Sequence, residues 1–305
     1  MQFDLLGEFA GQPLWLWAAF LSFVVLVLWF DLSVVNKDDR TISAGRSTMM
    51  WASFAFCALL FGGYIYFFYE PDPAFYTDPG NLNAQATVQY FTGYLLETAL
   101  AFDNIFVITM VFAFFAVPPA YQHRVLFWGI LGAIVFRAIF IGLGAAIVNQ
   151  LTWVLYIFAA ILIYSGWKML RHLNEHQAAP NAKPIVRLVE RFLPVTNDIH
   201  GHNFLVSQPN AAGRMVLYAT PLLLTLVTIE VADIIFAIDS VPAIFAVTRD
   251  PFIVYTSNIL AVLGLRSMYF MLASAAQRFV YLKLGLAAVL ILIGGKIIWN
   301  FLLSK

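Results

Sequence analysis

The feature that most constrains this chain is a series of eight long apolar segments separated by polar stretches. A helix needs about 20 mainly apolar residues to cross a bilayer, because each residue rises about 1.5 Å and the hydrocarbon core is about 30 Å thick. Hydrophobic residues make up 62% of the 305 residues and charged residues only 11%, which is unlike an ordinary soluble domain. The sequence therefore predicts an all-α polytopic membrane protein with about eight transmembrane helices. We assign them to residues 14–35, 47–69, 88–117, 125–148, 152–171, 215–247, 253–274 and 281–303.

The orientation in the membrane follows from the positions of Lys and Arg in the loops. Basic residues cluster at 36–46 and at both ends of 172–214, whereas 70–87 contains acidic residues and no basic one. Since Lys and Arg accumulate in cytoplasmic loops, we expect 36–46 and 172–214 inside and 70–87 outside. The N-terminus is then predicted outside. It lacks the basic stretch of a secretory signal, so we expect the first apolar segment to be retained as a helix.

The third to fifth and the sixth to eighth segments resemble each other. Ala-Phe-Asp-Asn-Ile-Phe-Val-Ile at 101–108 lines up with Ala-Ile-Asp-Ser-Val-Pro-Ala-Ile at 237–244, and the register continues to matched arginines and lysines further along. Each copy contains three helices, an odd number, so the second copy must cross the membrane with opposite polarity. Two inverted three-helix repeats are typical of secondary transporters, whose sites lie near the midplane at the repeat interface.

This repeat divides the chain into four regions. Residues 1–87 form two N-terminal helices outside the repeat, and 88–171 form the first three-helix repeat. Residues 172–214 form a polar cytoplasmic linker, in which we expect a short amphipathic helix. Residues 215–305 form the second, inverted repeat.

Acidic residues inside two of the apolar segments predict an ion site. An ionised carboxylate inside a membrane costs at least about 2.5 kcal/mol on insertion scales, so it needs a cation or a proton. Two intramembrane arginines, Arg137 and Arg266, can balance two such charges, which leaves three for a divalent cation or protons. The alternative is that these are ion pairs which only fasten helices together. We expect Lys168 and Lys296, nearer helix ends, to extend to the membrane interface. The five acids are Glu97, Asp103, Glu230, Asp233 and Asp239.

The chemistry of the neighbouring side chains indicates a hard metal ion. Asn104 and Ser240 follow the two matched aspartates and add neutral oxygens to the carboxylates. A shell of oxygen atoms suits magnesium, calcium or manganese, whereas zinc and copper prefer Cys and His. Pro242 predicts a kink or an unwound turn near Asp239, which would free carbonyl oxygens as further ligands. We expect Glu97, Asp103, Asn104, Asp233, Asp239 and Ser240 around the ion, with Glu230 as an additional ligand or a proton carrier.

Other classes of function are less compatible with this composition. Net charge is zero, so the sequence gives no case for nucleic-acid binding. The single cysteine, Cys57, excludes an intrachain disulfide and a thiolate metal cluster. The chain has no nucleophile motif, phosphate loop or dinucleotide fingerprint, so we expect neither an enzyme nor an organic cofactor.

Several blocks of sequence resemble one membrane protein family. They include Gly-Tyr-Leu-Leu-Glu at 93–97, Arg-Val-Leu-Phe-Trp-Gly-Ile-Leu-Gly-Ala at 124–133 and Asp-Ser-Val-Pro-Ala-Ile-Phe-Ala-Val-Thr at 239–248. Across roughly 88–305 the sequence resembles the TerC family, most closely its Alx-type bacterial members. Members of this family usually continue past the Gly-x-Lys helix into a further hydrophobic segment, whereas this chain ends at Lys305.

The resemblance implies a multi-pass protein of the bacterial cytoplasmic (inner) membrane. The family is associated with resistance to tellurium compounds and, as its better-supported role, with manganese export, and its paired intramembrane acids are taken to form the metal site. We therefore expect an exporter of Mn²⁺, possible coupling to protons being a hypothesis. One rival is a membrane scaffold that binds secretion or metalation partners through 172–214. Handling of a tellurium oxyanion is disfavoured, because an acidic site repels an anion.

Overall fold

The computed structural model describes residues 7–30, 44–151, 153–171, 183–210, 213–272 and 280–303. Within these ranges the protein consists of ten α-helices and two small antiparallel hairpins. The helices are α1 Leu14–Phe30, α2 Ala44–Phe68, α3 Leu82–Phe114, α4 Pro119–Gln150, α5 Val154–Arg171, α6 Lys183–Glu190, α7 Pro221–Val247, α8 Pro251–Leu263, α9 Leu265–Leu272 and α10 Val280–Leu303. The strands are β1 Glu8–Phe9, β2 Gln12–Pro13, β3 Leu205–Pro209 and β4 Met215–Ala219.

The predicted fold class, an all-α polytopic membrane protein, is confirmed. Among the described residues, six helical segments are long and apolar enough to span a membrane. Two further apolar helices, at Leu14–Phe30 and Leu284–Trp299, are shorter within those residues. Each of the eight predicted segments thus contains a helix. The six long spans are Gly45–Phe68, Leu82–Phe114, Pro119–Val148, Val154–Arg171, Pro221–Val247 and Pro251–Leu272.

The predicted start of the sixth segment, residue 215, is wrong. Residues 215–219 form β4, which pairs with β3 in the register Leu205↔Ala219 to Pro209↔Met215, and α7 begins only at Pro221. A short apolar run such as that of β4 fits a strand or a helix equally well, so its composition alone could not decide between them. Proline suits the first helical position, because its missing N–H would have no helical partner there. The amphipathic helix expected in the linker is confirmed as α6.

A kink or an unwound turn was predicted near Asp239; the unwound turn is wrong, and the kink stays a prediction. Helix α7 continues through Pro242, and its residues 240–245 are buried against neighbouring helices. Packing on this turn offsets the loss of one backbone hydrogen bond. The interruption lies in the seventh segment, where Gly264 separates α8 from α9.

The seventh segment is at the centre of the bundle. Helices α8 and α9 are buried along almost their whole length, whereas α4 and α5 expose much of their apolar surface. A helix that is apolar on all sides is expected in such a central position. Helix α8 packs on α3, and α4 packs on both α7 and α8. The acidic helices α3 and α7 contact each other, and each contacts the helix that follows the other, α3 with α8 and α7 with α4.

Helices α5 and α10, the last helices of the predicted repeats, pack through matched glycines. A Cβ atom on Gly166 would lie 2.8 Å from the carbonyl oxygen of Ala287, and one on Gly294 would lie 2.8 Å from that of Ala159. Ala159 of α5 meets Gly294 of α10, whereas Gly166, later in α5, meets Ala287, earlier in α10. The two helices are therefore antiparallel. Reciprocal contacts of this kind are those of two elements related by a two-fold axis. Inversion of the complete repeats stays a prediction.

Segments predicted on the outer side contact one another. The side chain of Gln12 donates to the carbonyl oxygen of Glu70 at 3.1 Å, which joins the N-terminal hairpin to the loop after α2. The hydroxyl groups of Tyr69 and Tyr76 donate to Oδ2 of Asp250 at 2.8 and 2.7 Å, which joins the same loop to the start of α8.

Segments predicted on the inner side also contact one another. The guanidinium of Arg124 lies 5.9 Å from the ring centroid of Phe204, between the start of α4 and the linker. At the end of α9, Tyr269 donates to Gln122 at 3.0 Å. These contacts agree with the grouping of the loops into two sets, whereas their placement on opposite sides of the membrane stays a prediction. Residues 36–43, 172–182 and 211–212 of the predicted inner loops lie outside the described residues.

Candidate ion-binding site

A buried arginine joins the two acidic helices. Arg137 is only 1% exposed and lies near the middle of α4. Its guanidinium donates from Nη1 to Oε1 of Glu97 in α3, and from Nε and Nη2 to the two carboxylate oxygens of Asp233 in α7 at 3.2 and 2.9 Å. The Asp233 contact has the two-pronged geometry that makes Arg–carboxylate pairs strong and directional. Two carboxylates at matched positions of the predicted repeats therefore share one cation.

Asn258 in α8 completes this group. Its amide nitrogen donates to Oε2 of Glu97 at 2.9 Å, and its amide oxygen accepts from Nη1 of Arg137 at 3.4 Å. Both oxygens of Glu97 and both oxygens of Asp233 are thus bonded. We call these four residues, Glu97, Arg137, Asp233 and Asn258, the Arg137 cluster.

The burial of the Arg137 cluster explains why its charges must be paired. Glu97 and Asp233 are 3% and 7% exposed and lie near the middle of their helices. Removing ions from water costs several kcal/mol each, and only close pairing with hydrogen bonds repays this. One guanidinium between two carboxylates leaves one formal negative charge. A second cation or a proton would neutralise it.

Glu230 adds a further carboxylate beside the Arg137 cluster. It lies one turn before Asp233 on α7 and acts electrostatically on it. Its carboxylate packs directly against Gly132 of α4, where a Cβ atom would overlap it. Among the residues that the structure describes, its buried oxygen Oε2 has no hydrogen-bond partner. A bound proton or cation would give this oxygen a partner. Either would fit the predicted role of Glu230 as a proton carrier or an additional ligand.

The predicted neutral ligands are also buried close to this region. Asn104 and Asp233 line a small cavity of about 20 Å³ whose other walls are mainly apolar. A volume of this size accommodates about one water molecule or one ion. Ser240 is 2% exposed, and its hydroxyl oxygen has no hydrogen-bond partner within the described part of the chain.

Asp239 lies in a second group. Its Oδ1 accepts from the hydroxyl of Ser165 in α5 at 2.6 Å, and Lys168 and Asp103 are close enough to act on its charge. Asp103 and Asp239 are both partly exposed at the protein surface, which distinguishes them from the Arg137 cluster. Lys168 is exposed, in keeping with the expectation that it extends to the interface, but it also contributes a positive charge here.

The predicted site residues thus fall into two groups and do not form one shell. Among the described residues, no three His, Cys, Asp or Glu side chains converge on a position where they could hold a metal ion. Arg266 at the start of α9 is 2% exposed. Its predicted role in charge balance stays a prediction.

Sequence reasoning missed two polar partners. Asn258 and Ser165 lie in apolar segments, and each donates to one of the predicted acids. Both could have been found as isolated polar residues within spans, since such residues usually bond across helices. Their partners could not, because the contacts join helices far apart in the sequence.

A larger cavity lies on the predicted outer side. It has a volume of about 550 Å³ and is bounded by the ends of α5, α7 and α10 and by the turn before α3. Arg249, Tyr156 and Gln89 line it together with apolar side chains. The cavity lies beyond the α7 turn that contains Asp239, and Asp239 itself does not line it.

The Asp250 carboxylate at this end is buried without a cation among its bonded partners. It accepts from Tyr69 and Tyr76, and its Oδ1 accepts from the backbone N–H groups of Phe252 and Ile253 at the start of α8. Burial raises the pKa of Asp250, although these hydrogen bonds lower it in part. Burial and the nearby Asp250 charge raise the pKa of Tyr76. Neutral donors, and a helix N-terminus, thus hold this carboxylate.

The long apolar helices and the charge cluster between them define an integral, multi-pass membrane protein with a polar centre. The family model for the integral membrane protein TerC family matches residues 82–304. The chain belongs to the TerC family. The predicted resemblance is confirmed.

Relatives in several bacteria cover most of this chain. It is 42% identical over 291 residues to the "Putative membrane-bound redox modulator Alx" of Escherichia coli (strain K12), covering 94% of this chain and 86% of that protein. The protein of the same name from Photorhabdus laumondii is 41% identical over 289 residues, covering 94% and 87%. "Uncharacterized membrane protein STKORF319" of Myxococcus xanthus is 43% identical over 286 residues, covering 94% and 83%. No solved structure matches.

Proposed function

We propose that this protein exports Mn²⁺ from the cytoplasm across the bacterial inner membrane, with its N-terminus outside. The main support is the Arg137 cluster, in which carboxylates from matched positions of the two halves share one buried cation. Ionisable residues inside a membrane usually mark an ion pathway. A site between repeats near the midplane is also typical of secondary transporters.

In this proposal Arg137 occupies the position that the transported ion takes in another state. When no metal is bound, the guanidinium balances one of the two charges of Glu97 and Asp233 and a proton balances the other, so the empty site remains stable in the membrane. An entering divalent cation competes with Arg137 for these oxygens and gains the Asn104 oxygen beside the small cavity. Competition from a tethered cation weakens binding, which favours release on the outer side.

The second group supplies a further position along the pathway. Asp239 and Asp103 are closer to the protein surface than Glu97 and Asp233. The antiparallel packing of α5 on α10 supports motion of one repeat against the other, because a two-fold-related interface can exchange two equivalent arrangements. Glu230, with its unbonded oxygen, is the proposed proton carrier.

The choice of metal rests on ligand chemistry and on the family. Carboxylate and amide oxygens favour Mn²⁺, Mg²⁺ or Ca²⁺ over Zn²⁺ or Cu²⁺, and the TerC resemblance favours manganese among the three. The name of the Alx relatives describes a redox modulator. These 305 residues contain one cysteine, so they provide no dithiol pair for thiol–disulfide exchange.

Transport by the purified protein in sealed vesicles tests the proposal. We expect uptake of Mn²⁺ in preference to Ca²⁺ and Mg²⁺ into vesicles in the inside-out orientation. Asp239→Asn and Asp103→Asn should each abolish uptake, because the amide keeps the shape and removes the charge. Glu70→Gln, an exposed carboxylate in the loop after α2, is the matched control and should transport normally.

Three results would contradict the proposal. They are normal uptake by both Asp variants, equal uptake of the three ions, and no uptake by the wild-type protein. The purified system contains no partner protein, so uptake there would also show that a scaffold role alone is insufficient.

A further inference from the structure

Part of the linker presents apolar side chains to the surroundings although it lies outside the membrane spans. Leu188, in α6, is 51% exposed, and Phe192, just after α6, is 79% exposed. In the β3–β4 hairpin, Leu205 is 41% exposed, Met215 67% and Leu217 42%. Three exposed arginines accompany them. We call the set Arg187, Leu188, Arg191, Phe192, Leu205, Arg214, Met215 and Leu217 the linker surface.

The α6 part of the linker surface has an apolar stripe beside a basic one. Leu188 and Phe192 are four residues apart, and so are Arg187 and Arg191, so each pair lies on one side of the helical turn. The opposite side includes Val186, which is half-buried, and α6 packs near α7. The exposed apolar stripe is therefore not the side that α6 uses to pack on the protein.

The hairpin part follows from strand alternation. Met215 and Leu217 point to one face of β4, and the intervening Val216 and Tyr218 are half-buried on the other face. Because side chains alternate along a strand, the hairpin packs one apolar face on the protein and exposes a second. Arg214 stands at the start of β4 and is exposed.

Both parts lie at a membrane boundary. Strand β4 ends at Ala219, and the span of α7 begins at Pro221. The chain after α6 is bonded to the same point, since the N–H of Thr196 donates to the carbonyl oxygen of Ala219 at 2.9 Å. The linker surface is therefore tied to the point where α7 enters the bilayer.

The charge of this region fits an anionic surface. Between 183 and 219 there are four basic residues and two acidic ones, His excluded. Predicted topology puts the region on the cytoplasmic side, where anionic lipids attract Lys and Arg. Phe and Leu beside Arg on a short helix are typical of segments that lie in the headgroup layer.

We propose that the linker surface binds the anionic lipid headgroups of the inner leaflet. Leu188, Phe192 and Met215 enter the interfacial layer, and the arginines bind the lipid phosphates. This inference does not depend on the ion that the protein transports. It gives the linker a defined partner, the membrane itself, which would fix the position of the cytoplasmic end of α7.

Spin labels on the full chain test this proposal. Cys57 is the only cysteine, so Cys57→Ser provides a background in which Phe192→Cys or Met215→Cys can each be labelled with a nitroxide. The protein is reconstituted in phosphatidylcholine vesicles with or without phosphatidylglycerol, with a nickel chelate on both sides of the bilayer. We expect phosphatidylglycerol to lower the accessibility of both labels to the chelate several-fold and to raise their accessibility to oxygen.

Two variants are needed as controls. Arg187→Gln with Arg191→Gln changes only exposed side chains, and it should remove most of the phosphatidylglycerol effect at residue 192. A label at Asn197, an exposed polar position of the same segment, should remain accessible to the chelate in both kinds of vesicle.

Either of two results would overturn the proposal. One is equal chelate accessibility at 192 and 215 in both kinds of vesicle. The other is protection that occurs in native membranes and not in vesicles of purified protein, which would assign the surface to a protein partner.

Discussion

The two halves of this protein share a close glycine contact but differ in their polar contacts. Gly166 in α5 and Gly294 in α10 make the same close approach to each other's helix. In contrast, Asn258 in α8 bonds to Glu97, whereas the matched position in α4 is Gly129, which has no side chain to bond to Asp233. Among the described residues, Glu97 thus has two side-chain partners and Asp233 has only Arg137.

The comparison shows which contacts the two repeats have in common and which belong to one repeat. Close helix packing depends on small residues, and α5 and α10 have them at matched positions. The charge cluster is not matched in this way, because Asn258 has no polar counterpart at Gly129. Each of the following predictions tests how much the unmatched polar contacts or the matched glycine contact contribute to stability or to manganese affinity.

Arg137 should give the largest effect, because both halves depend on it. Arg137→Gln leaves two buried carboxylates without their cation and should lower the free energy of unfolding by about 3–5 kcal/mol. Thermal unfolding of the purified protein in detergent measures this. The exposed Arg214→Gln serves as control and should change the stability little.

A double variant separates a structural role of Arg137 from tuning of ion affinity. Adding Glu97→Gln to Arg137→Gln removes one uncompensated charge, so much of the stability should return. Manganese affinity should not return, because a ligand has been removed. If stability and affinity both recovered, for Glu97 and likewise for Asp233→Asn, Arg137 would be only a helix fastener.

Asn258 tests the polar difference directly. Asn258→Ala leaves Oε2 of Glu97 without a donor, and a hydrogen bond to a charged group is worth about 2 kcal/mol. The matched control is Gly129→Ala, where the new Cβ would meet Ile229 at 3.5 Å, an ordinary contact. Similar unfolding temperatures for Asn258→Ala and Gly129→Ala would contradict the proposed asymmetry.

Tyr76 tests a second difference between the halves, because the α7–α8 turn contains Asp250 and the α3–α4 turn at 115–118 has no carboxylate. Tyr76→Phe removes a hydrogen bond to Asp250 and should cost about 1.5 kcal/mol. The pKa of Tyr76 is raised in the folded protein above its usual 10.0. Its contribution is therefore complete below pH 10.0 and decreases as the pH rises further, since the unfolded chain then loses the proton first.

Unfolding of the wild type and Tyr76→Phe, compared from neutral pH to strongly alkaline pH, measures that dependence. The exposed Tyr66→Phe is the control and should show no comparable difference from the wild type. A stability gap between wild type and Tyr76→Phe that stayed constant at alkaline pH would disprove the link to Tyr76 ionisation.

The matched glycines should give the smallest effect and the same one in both halves. Overpacking at Gly166→Ala costs about 2 kcal/mol and the better helix propensity of alanine returns about 1, so a net loss of about 1 kcal/mol is expected. Gly294→Ala should lose the same amount. Gly295→Ala, with no atom within 4 Å of the new Cβ, should be neutral or stabilising. If Gly166→Ala and Gly294→Ala changed the stability in opposite directions, the proposed two-fold relation between α5 and α10 would be contradicted.

Much of the architecture could be predicted because the bilayer restricts the possible structures. Long apolar runs such as those of α3 and α7 must be helices in a membrane, since each backbone group has to be bonded within the segment. The same reasoning identified Glu97 and Asp233 as unusual, because isolated charges are costly there. It failed at β4, which lies outside that restriction, and in the unwound turn expected at Pro242, since α7 continues through that residue.

The sequence by itself determined the number of apolar segments, the residues with charges inside them and the matched order of the halves. Only the tertiary structure decided that Arg137 binds Glu97 and Asp233 together, that Asn258 joins them and that Asp239 bonds to Ser165 instead. The physical reason is that a hydrogen bond in a low-dielectric interior depends on ångström-scale distances between helices. Those distances result from the packing of all helices together, and no local spacing in the chain contains them.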